Sequence, residues 1–96
     1  MKKKVDLQQG DIFSIKSNSC WSYDFDGDRI LINERWPLEE LRHGTIVVGL
    51  EGRTLPYSQV FGVDPRQYPG ESVQLIKVIS PTGKIGWVIS RHLRHL

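Results

Sequence analysis

The amino-acid sequence predicts a mainly β protein, a small and strongly bent antiparallel barrel formed by a single domain over residues 1–96. Three observations support this class. Short segments with a period of two recur along the chain, turn residues separate them, and 96 residues allow one domain with a modest core. The clearest alternation is in the last strand, where Ile85, Trp87 and Ile89 alternate with Gly86, Val88 and Ser90.

The first half of the chain contains three strand signals. Gly10-Asp11 introduces DIFSIK, in which Phe13 and Ile15 share one face. The segments CWSYDF and DRILIN then flank an Asp-Gly pair at 26–27. Because both residues of such a pair tolerate positive φ, the pattern predicts a β-hairpin with a tight turn.

A short helix is predicted over residues 34–44, ERWPLEELRHG. Pro37 suits a first helical turn, while Glu39 and Glu40 favour the positive end of the helix. Gly44 is then the expected C-terminal stop. The segment spans few turns, so we expect it to need tertiary support.

The second half of the chain alternates strand and turn signals. The run TIVVGL at 45–50 is β-branched and typical of a strand covered on both faces. Residues 51–72 contain three prolines and are predicted to form a long surface loop. SVQLIKVIS and IGWVIS form a hairpin around Pro81–Lys84, and RHLRHL at 91–96 is expected to be a helical turn.

Composition limits the classes of protein that the chain can represent. The formal net charge is only +2, although both ends are basic. The single cysteine, Cys20, excludes an internal disulfide framework and a cysteine-based zinc site. No apolar run is long enough to cross a bilayer, and the basic start is not followed by the apolar stretch of a secretory signal. We therefore expect a cytoplasmic protein without a membrane partner.

The closing segment GKIGWVISRHL resembles the end of SH3-like barrels, including bacterial SH3 domains. The matching residues are Gly83, Gly86, Trp87, Val88, Ser90 and Leu93. VDLQQGDIFSIK is similar to another segment of that family at Leu7, Gly10, Asp11, Ile12 and Ile15. The resemblance implies an SH3-like barrel, of the kind that recurs in small bacteriophage proteins.

Two departures limit what the SH3-like resemblance implies. The Tyr-Asp-Tyr motif of eukaryotic SH3 ligand grooves is absent from the sequence, so recognition of proline-rich peptides is not implied. The predicted loop at 51–72 is also long for a minimal SH3 loop. The resemblance therefore predicts the fold rather than a function.

The stretch DFDGD, Asp24–Asp28, suggests either a metal loop or a turn. It resembles the magnesium loop of multisubunit RNA polymerases, where three carboxylates share one ion, and hard oxygen ligands suit that chemistry. An EF-hand would require Gly where Arg29 stands and Glu where Arg35 stands. We interpret the stretch as a hairpin turn and predict no metal and no cofactor. Metal-dependent phosphotransfer at this loop is a remote alternative.

The histidines and the cysteine are not predicted to form a zinc site or a catalytic site. His92 and His95 are three residues apart, but a third ligand is not close in the sequence. Cys20 has no evident base beside it, and we interpret it as a strand residue.

Aromatic and basic residues form the candidate partner-binding set. Its members are Trp21, Tyr23, Arg53, Tyr57, Arg66 and Tyr68. If they gather on one face, they suit a peptide or single-stranded nucleic acid. If they only anchor the loop at 51–72, their role is structural, and the sequence leaves both interpretations open.

The function predicted from these residues is that of a non-enzymatic binding module. We expect a small phage-type accessory protein that recognises a host or viral protein through the loop at 51–72 and the nearby aromatics. Nucleic-acid binding is the alternative, because both ends of the chain are basic and small barrels often bind RNA or DNA.

Overall fold

A computed structural model of the chain describes residues 10–23 and 37–96. Its strands are β1 (Ile12–Ile15), β2 (Ser19–Tyr23), β3 (Pro37–Arg42), β4 (Ile46–Pro56), β5 (Ser72–Ile79), β6 (Ile85–Ile89) and β7 (Leu93–His95). One helix, α1 (Tyr57–Phe61), follows β4, and a 3₁₀ turn, Ser90–His92, joins β6 to β7. Within these ranges the strands form one antiparallel sheet in the order β3-β2-β6-β5-β4-β1-β7, curled into a half-barrel. The predicted mainly β, antiparallel class is confirmed.

The larger core cluster lies on one face of this sheet, which we call the inner face. The cluster consists of Phe13, Ile15, Cys20, Leu41, Val47, Ile76, Val78, Val88 and Leu93. Phe13 and Ile15 are both buried, as their spacing predicts. Strand β7 pairs with β1 and brings Leu93 opposite Ile15, so the end of the chain covers the start of the described sheet.

A smaller cluster lies on the opposite, outer face. It joins Val60 of α1 to Leu75 of β5 and Trp87 of β6. Trp87 and Val88 are neighbours in the sequence and are both buried, so β6 is covered on its two faces. The helix therefore forms a second layer on part of the outer face.

The hairpin between β5 and β6 forms where the sequence predicts it. The Ser80 N–H donates to the Lys84 carbonyl over 2.9 Å, and the Gly83 N–H donates to the Ser80 carbonyl over 2.9 Å. Gly83 has a φ of 86°, a backbone conformation that residues other than glycine rarely adopt. Local turn chemistry thus sets this register.

The helix predicted over 34–44 is wrong for the described part of that segment. Pro37–Arg42 forms β3, which pairs with β2 so that buried Leu41 lies opposite buried Cys20. Pro37 is the first residue of a strand at the edge of the described sheet, a position where proline is tolerated. Pairing with β2 therefore outweighs the helix-like end signals.

The loop predicted over 51–72 is largely replaced by regular structure. β4 continues to Pro56 in register with β5, where Glu51 lies opposite Lys77 and Pro56 opposite Ser72. Helix α1 follows directly, which leaves Gly62–Glu71 as the irregular part. Hydrogen bonding to β5 extends this strand beyond the β-branched run at 45–50 that the sequence predicts.

Two smaller expectations are also corrected. The C-terminal helical turn lies at Ser90–His92 rather than over 91–96, because Leu93–His95 forms β7 beside β1. The run at 45–50 is not covered on both faces, since Ile46 is exposed while Val47 is buried.

The DFDGD stretch lies outside the described residues, as does the hairpin predicted around it. Of the helices in the described ranges, none is both long enough and apolar enough to cross a membrane.

Candidate partner-binding site

Helix α1 positions the first two aromatic side chains of the site. It begins directly after Pro56 and ends at Gly62, whose φ of 68° is left-handed and whose N–H donates to the Ser58 carbonyl over 2.8 Å. This is a glycine-terminated helix end. Phe61 lies four positions after Tyr57, so the two rings lie on one side of the turn.

Three aromatic rings form a continuous group that we call the aromatic ridge: Tyr57, Phe61 and Tyr68. The Tyr57 and Phe61 ring centroids are 4.5 Å apart with planes at 38°, and the Tyr57 and Tyr68 centroids are 4.4 Å apart with planes at 33°. Tyr68 belongs to the loop after α1 and remains exposed. The ridge therefore links the helix to the loop and keeps an aromatic surface in contact with solvent.

Backbone hydrogen bonds hold the loop that carries Tyr68. The Tyr57 N–H donates to the Glu71 carbonyl over 2.9 Å, which joins the start of α1 to the end of the loop. Inside the loop, the Gln67 N–H donates to the Asp64 carbonyl over 3.0 Å and the Glu71 N–H donates to the Tyr68 carbonyl over 3.3 Å. These bonds limit how far Tyr68 can move relative to Tyr57.

Arg66 binds within its own loop rather than to the aromatic ridge. Its guanidinium donates to both carboxylate oxygens of Asp64, with Nη2 3.1 Å from Oδ2, and its backbone N–H donates to Oδ1 over 2.9 Å. These bonds lower the pKa of the Asp64 carboxyl from its ordinary value. The pair is solvent-exposed, so we assign it to shaping the loop.

Two grooves border the aromatic ridge, the first at Tyr57 and Phe61 and the second at Tyr68. The first has a volume of about 420 Å³ and is lined by Tyr57, Phe61, Glu71, Ser72, Val73, Gln74, Ile89, Ser90 and Arg91. The second has a volume of about 390 Å³ and is lined by Thr54, Leu55, Pro56, Ser58, Pro65, Tyr68, Pro69, Gly70, Glu71 and Ser72. Glu71 and Ser72 border both grooves, which therefore adjoin. Each groove combines apolar walls with polar groups, as ligand sites commonly do.

Arg53 and Tyr23 lie around Trp87. The Arg53 guanidinium lies 5.4 Å from the centre of the Trp87 ring, and the Lys77 ammonium lies 6.0 Å from it. Tyr23 is directly opposite Trp87 in the β2–β6 pairing and is half-buried. These contacts belong to the sheet, where cations over an indole face add stability.

Trp21 is the most isolated member of the predicted set. It lies on β2, opposite Glu40 of β3, with its side chain exposed. The six predicted residues therefore divide into separate groups. The structure brings Tyr57 and Tyr68 together, pairs Arg66 with Asp64 and places Arg53 and Tyr23 beside Trp87.

Sequence reasoning missed several residues that shape the grooves. Phe61 falls inside the loop predicted over 51–72, and its spacing from Tyr57 brings the two rings together only in a helix. Arg91 and Ile89 reach the first groove only because β6 runs beside β5. No local signal in the sequence indicates that approach.

None of the described cysteine and histidine side chains lines either groove. Cys20 is buried on the inner face, and this burial raises the pKa of its thiol to about 11. His92 Nδ1 lies 2.6 Å from the Ser17 hydroxyl, whereas His95 Nε2 lies 3.5 Å from an Asp11 oxygen. In the described ranges no group of three or more His, Cys, Asp or Glu side chains is arranged to hold a metal ion.

Ser80 and Thr82 at the β5–β6 turn form hydrogen bonds that stabilise the charged carboxylate of Glu39. The Thr82 hydroxyl donates to Glu39 Oε2 over 2.8 Å and lies 2.8 Å from the Ser80 hydroxyl. Hydrogen bonding from Ser80, with smaller contributions from Thr82 and Lys84, lowers the pKa of Glu39 despite the opposing effect of burial. These bonds tie β3 to the hairpin.

Comparison with models of known families found no match, and comparisons with curated proteins and with solved structures likewise found none. The fold and site therefore define this protein only by class: a small, mainly β domain with a partly exposed aromatic ridge that borders two surface grooves.

Proposed function

We propose that this protein is a non-enzymatic binding module that recognises a protein partner at the aromatic ridge and its two grooves. The observation that carries the proposal is the contact between Tyr57 and Tyr68, 4.4 Å apart at the ring centroids, with one groove lined by Tyr57 and another by Tyr68. Exposed aromatic rings supply large contact areas at low entropic cost, which is why they are enriched at interfaces.

The first groove suits an apolar side chain of the partner. Phe61, Val73 and Ile89 supply its apolar wall, and they also pack against the Val60 cluster. Arg91 and Glu71 place opposite charges at its border. We expect the apolar contact to provide affinity and the two charges to select orientation.

Support from the scaffold favours recognition by a preformed surface. Tyr57 is held by its backbone bond to Glu71, and Val60 packs α1 against the sheet. A surface that is ordered before binding loses less conformational entropy when the partner docks.

The resemblance to SH3-like bacteriophage proteins suggests the setting. We propose a small phage-type accessory or adaptor protein that acts in the host cytoplasm. Its partner would then be a host or viral protein, with the half-barrel as the scaffold.

The test is selection of peptide ligands from a random displayed library on the folded protein. We expect selected peptides to lose at least tenfold in affinity, about 1.4 kcal/mol, for the Tyr57→Ala, Tyr68→Ala double variant. Trp21→Ala is the matched control, because it removes an exposed aromatic residue from β2, outside the aromatic ridge. Peptides that bind the double variant and the unsubstituted protein equally would overturn the proposal.

Nucleic-acid binding is the second candidate, and a local cluster of positive charge favours it. Lys16 and Arg91 are close enough to His92 to lower the pKa of its imidazole, although burial is the larger cause. Arg91 also borders the first groove. A labelled oligonucleotide titrated across a salt series tests this function, which requires binding at low salt that weakens steeply as salt rises.

A further inference from the structure

Five apolar side chains form a continuous row across the outer face of the sheet. We call this set the apolar row: Leu96, Ile12, Val48, Ile79 and Ile85. The β1–β4, β4–β5 and β5–β6 registers pair the last four members directly, strand by strand. The Leu96 N–H donates to the Ile12 carbonyl over 2.9 Å, which places Leu96 beside Ile12 at the end of β7. Residues opposite one another in antiparallel strands share a face.

The apolar row is accessible to solvent. Ile12, Ile85 and Leu96 are exposed by 45%, 47% and 61%, and Ile46, two positions before Val48 on the same face, is exposed by 48%. Val48 and Ile79 are half-buried. Single exposed apolar residues are ordinary, but a contiguous group of this kind marks an interaction surface.

The outer face already receives a helix at its other end. Helix α1 packs there through Val60, which contacts the cluster of Leu75 and Trp87. Leu75 lies four residues before Ile79 on β5, and Trp87 lies two residues after Ile85 on β6. The apolar row is therefore the part of the same face that α1 does not cover.

We propose that the apolar row is a docking surface for an amphipathic helix of a protein partner with acidic residues beside its apolar stripe. A segment that lies on a sheet face finds the strand N–H and C=O groups already paired, so it must satisfy its own backbone. A helix does so, and helix on sheet is a stable layer arrangement. Four steps of about 4.8 Å give a row about 19 Å long, which matches about 13 helical residues.

Charge near the row determines the expected sign of the partner. Arg94, two residues before Leu96 and opposite Ser14, lies on one side of the row. On the other side Lys77 lies opposite Glu51, and the Arg53 guanidinium follows over Trp87. These flanking positions carry three cations against one carboxylate, so acidic side chains beside the apolar stripe of the helix are favoured.

A synthetic peptide provides a direct probe. We use a helix-forming peptide of about 14 residues, which spans the row, with leucine at every third or fourth position and glutamate elsewhere. A matched peptide carries lysine in place of glutamate. Fluorescence anisotropy should show the acidic peptide binding at least tenfold more tightly than the basic one. The NMR methyl signals of the row should shift during the titration.

Variants connect the binding to the row. Ile85→Thr and Ile12→Thr, tested separately, should each weaken the acidic peptide at least fivefold, and Arg94→Glu should reduce its preference over the basic peptide. Both isoleucines are exposed and threonine suits a strand, so the variants should keep the wild-type thermal midpoint. Tyr57→Ala with Tyr68→Ala is the control that should leave this binding unchanged, which separates the row from the aromatic ridge.

Three results would overturn the proposal. One is an acidic peptide that fails to bind, or that binds the two isoleucine variants as well as the unsubstituted protein. Another is a concentration-dependent dimer in sedimentation that Ile85→Thr abolishes, which would identify a second copy of the chain as the occupant. The third is binding to vesicles of phosphatidylserine and phosphatidylcholine that the same substitution abolishes, which would identify a lipid surface.

Discussion

The attachment of α1 to the sheet is tested by the substitution Val60→Ala. Val60 is fully buried between the helix and the outer face, where it contacts the cluster of Leu75 and Trp87. Removing two carbon atoms forfeits about 1.6 kcal/mol of transfer free energy at about 0.8 kcal/mol per group, and a residual cavity adds to that loss. Alanine is the better helix former by about 0.5 kcal/mol, which offsets part of the loss. We expect a net destabilisation of about 1 to 2.5 kcal/mol, because burial outweighs propensity.

Urea denaturation followed by circular dichroism measures this change. The urea concentration at the midpoint of unfolding should fall, while the slope of the unfolding free energy against urea concentration should stay unchanged. Val63→Ala is a suitable control, since Val63 is only half-buried and lies beyond the end of α1. It should cost clearly less than Val60→Ala. Peptides selected on the aromatic ridge should also bind the Val60→Ala variant less tightly, because α1 carries Tyr57.

A loss below about 0.5 kcal/mol, within the range of ordinary surface substitutions, would refute the reasoning. The helix would then contribute little to the free energy of unfolding, and the ridge would not be held by the sheet. A larger loss with a reduced slope would instead indicate that the compactness of the unfolded or native state has changed.

Three further predictions concern stability and reactivity. Gly86→Ala should destabilise the fold by about 1 to 3 kcal/mol through overpacking, because a Cβ there would lie 3.0 Å from the Ser22 Cβ. Urea midpoints measure this loss, Ser22→Gly in the same chain should recover part of it, and a Gly86→Ala variant as stable as wild type would contradict it. The pKa of His92 is lowered by burial and by two nearby cations, so the folded protein binds a proton less readily than the unfolded chain. The contribution of His92 to stability should therefore be complete above the unfolded pKa of about 6.5 and fall as the pH drops below it. Urea denaturation at about pH 7.5 and 5.5 should show a lower free energy of unfolding at the acidic pH, and His92→Gln should diminish this difference. An identical difference in the variant would contradict the assignment to His92. Burial raises the pKa of the Cys20 thiol to about 11, so labelling by a disulfide reagent at neutral pH should be slow and should accelerate in urea, whereas rapid labelling of the native protein would show that the thiol is accessible.

Periodicity and turn chemistry predicted the parts of the fold that depend on neighbouring residues. The placement of Phe13 and Ile15 on either side of Ser14 predicted a buried face, and the turn residues Pro81–Lys84 predicted the β5–β6 turn. The same signals failed at Pro37–Arg42, where proline and glutamate residues resemble the start of a helix. Pairing with β2 decided that segment, and a strand partner distant in sequence is not visible in a local pattern.

The sequence proposed six candidate residues without indicating which of them would be in contact. Tyr57 contacts Tyr68, whereas Arg66 bonds to Asp64 and Trp21 lies apart on β2. Tyr68 contacts Tyr57 from the loop and is also exposed, so binding of a partner by these aromatics stays a prediction. The apolar row was not expected, because TIVVGL is typical of a strand covered on both faces.

By itself the sequence determined the mainly β class, the alternation of buried and exposed residues and the last hairpin, because these depend on side chains a few positions apart. Only the tertiary structure decided that Pro37–Arg42 is a strand, that α1 covers one end of the outer face and that the apolar row stays open at the other. The physical reason is that strand pairing and layer packing join residues far apart in the chain. Their free energy exceeds the weak local preferences that a sequence pattern records.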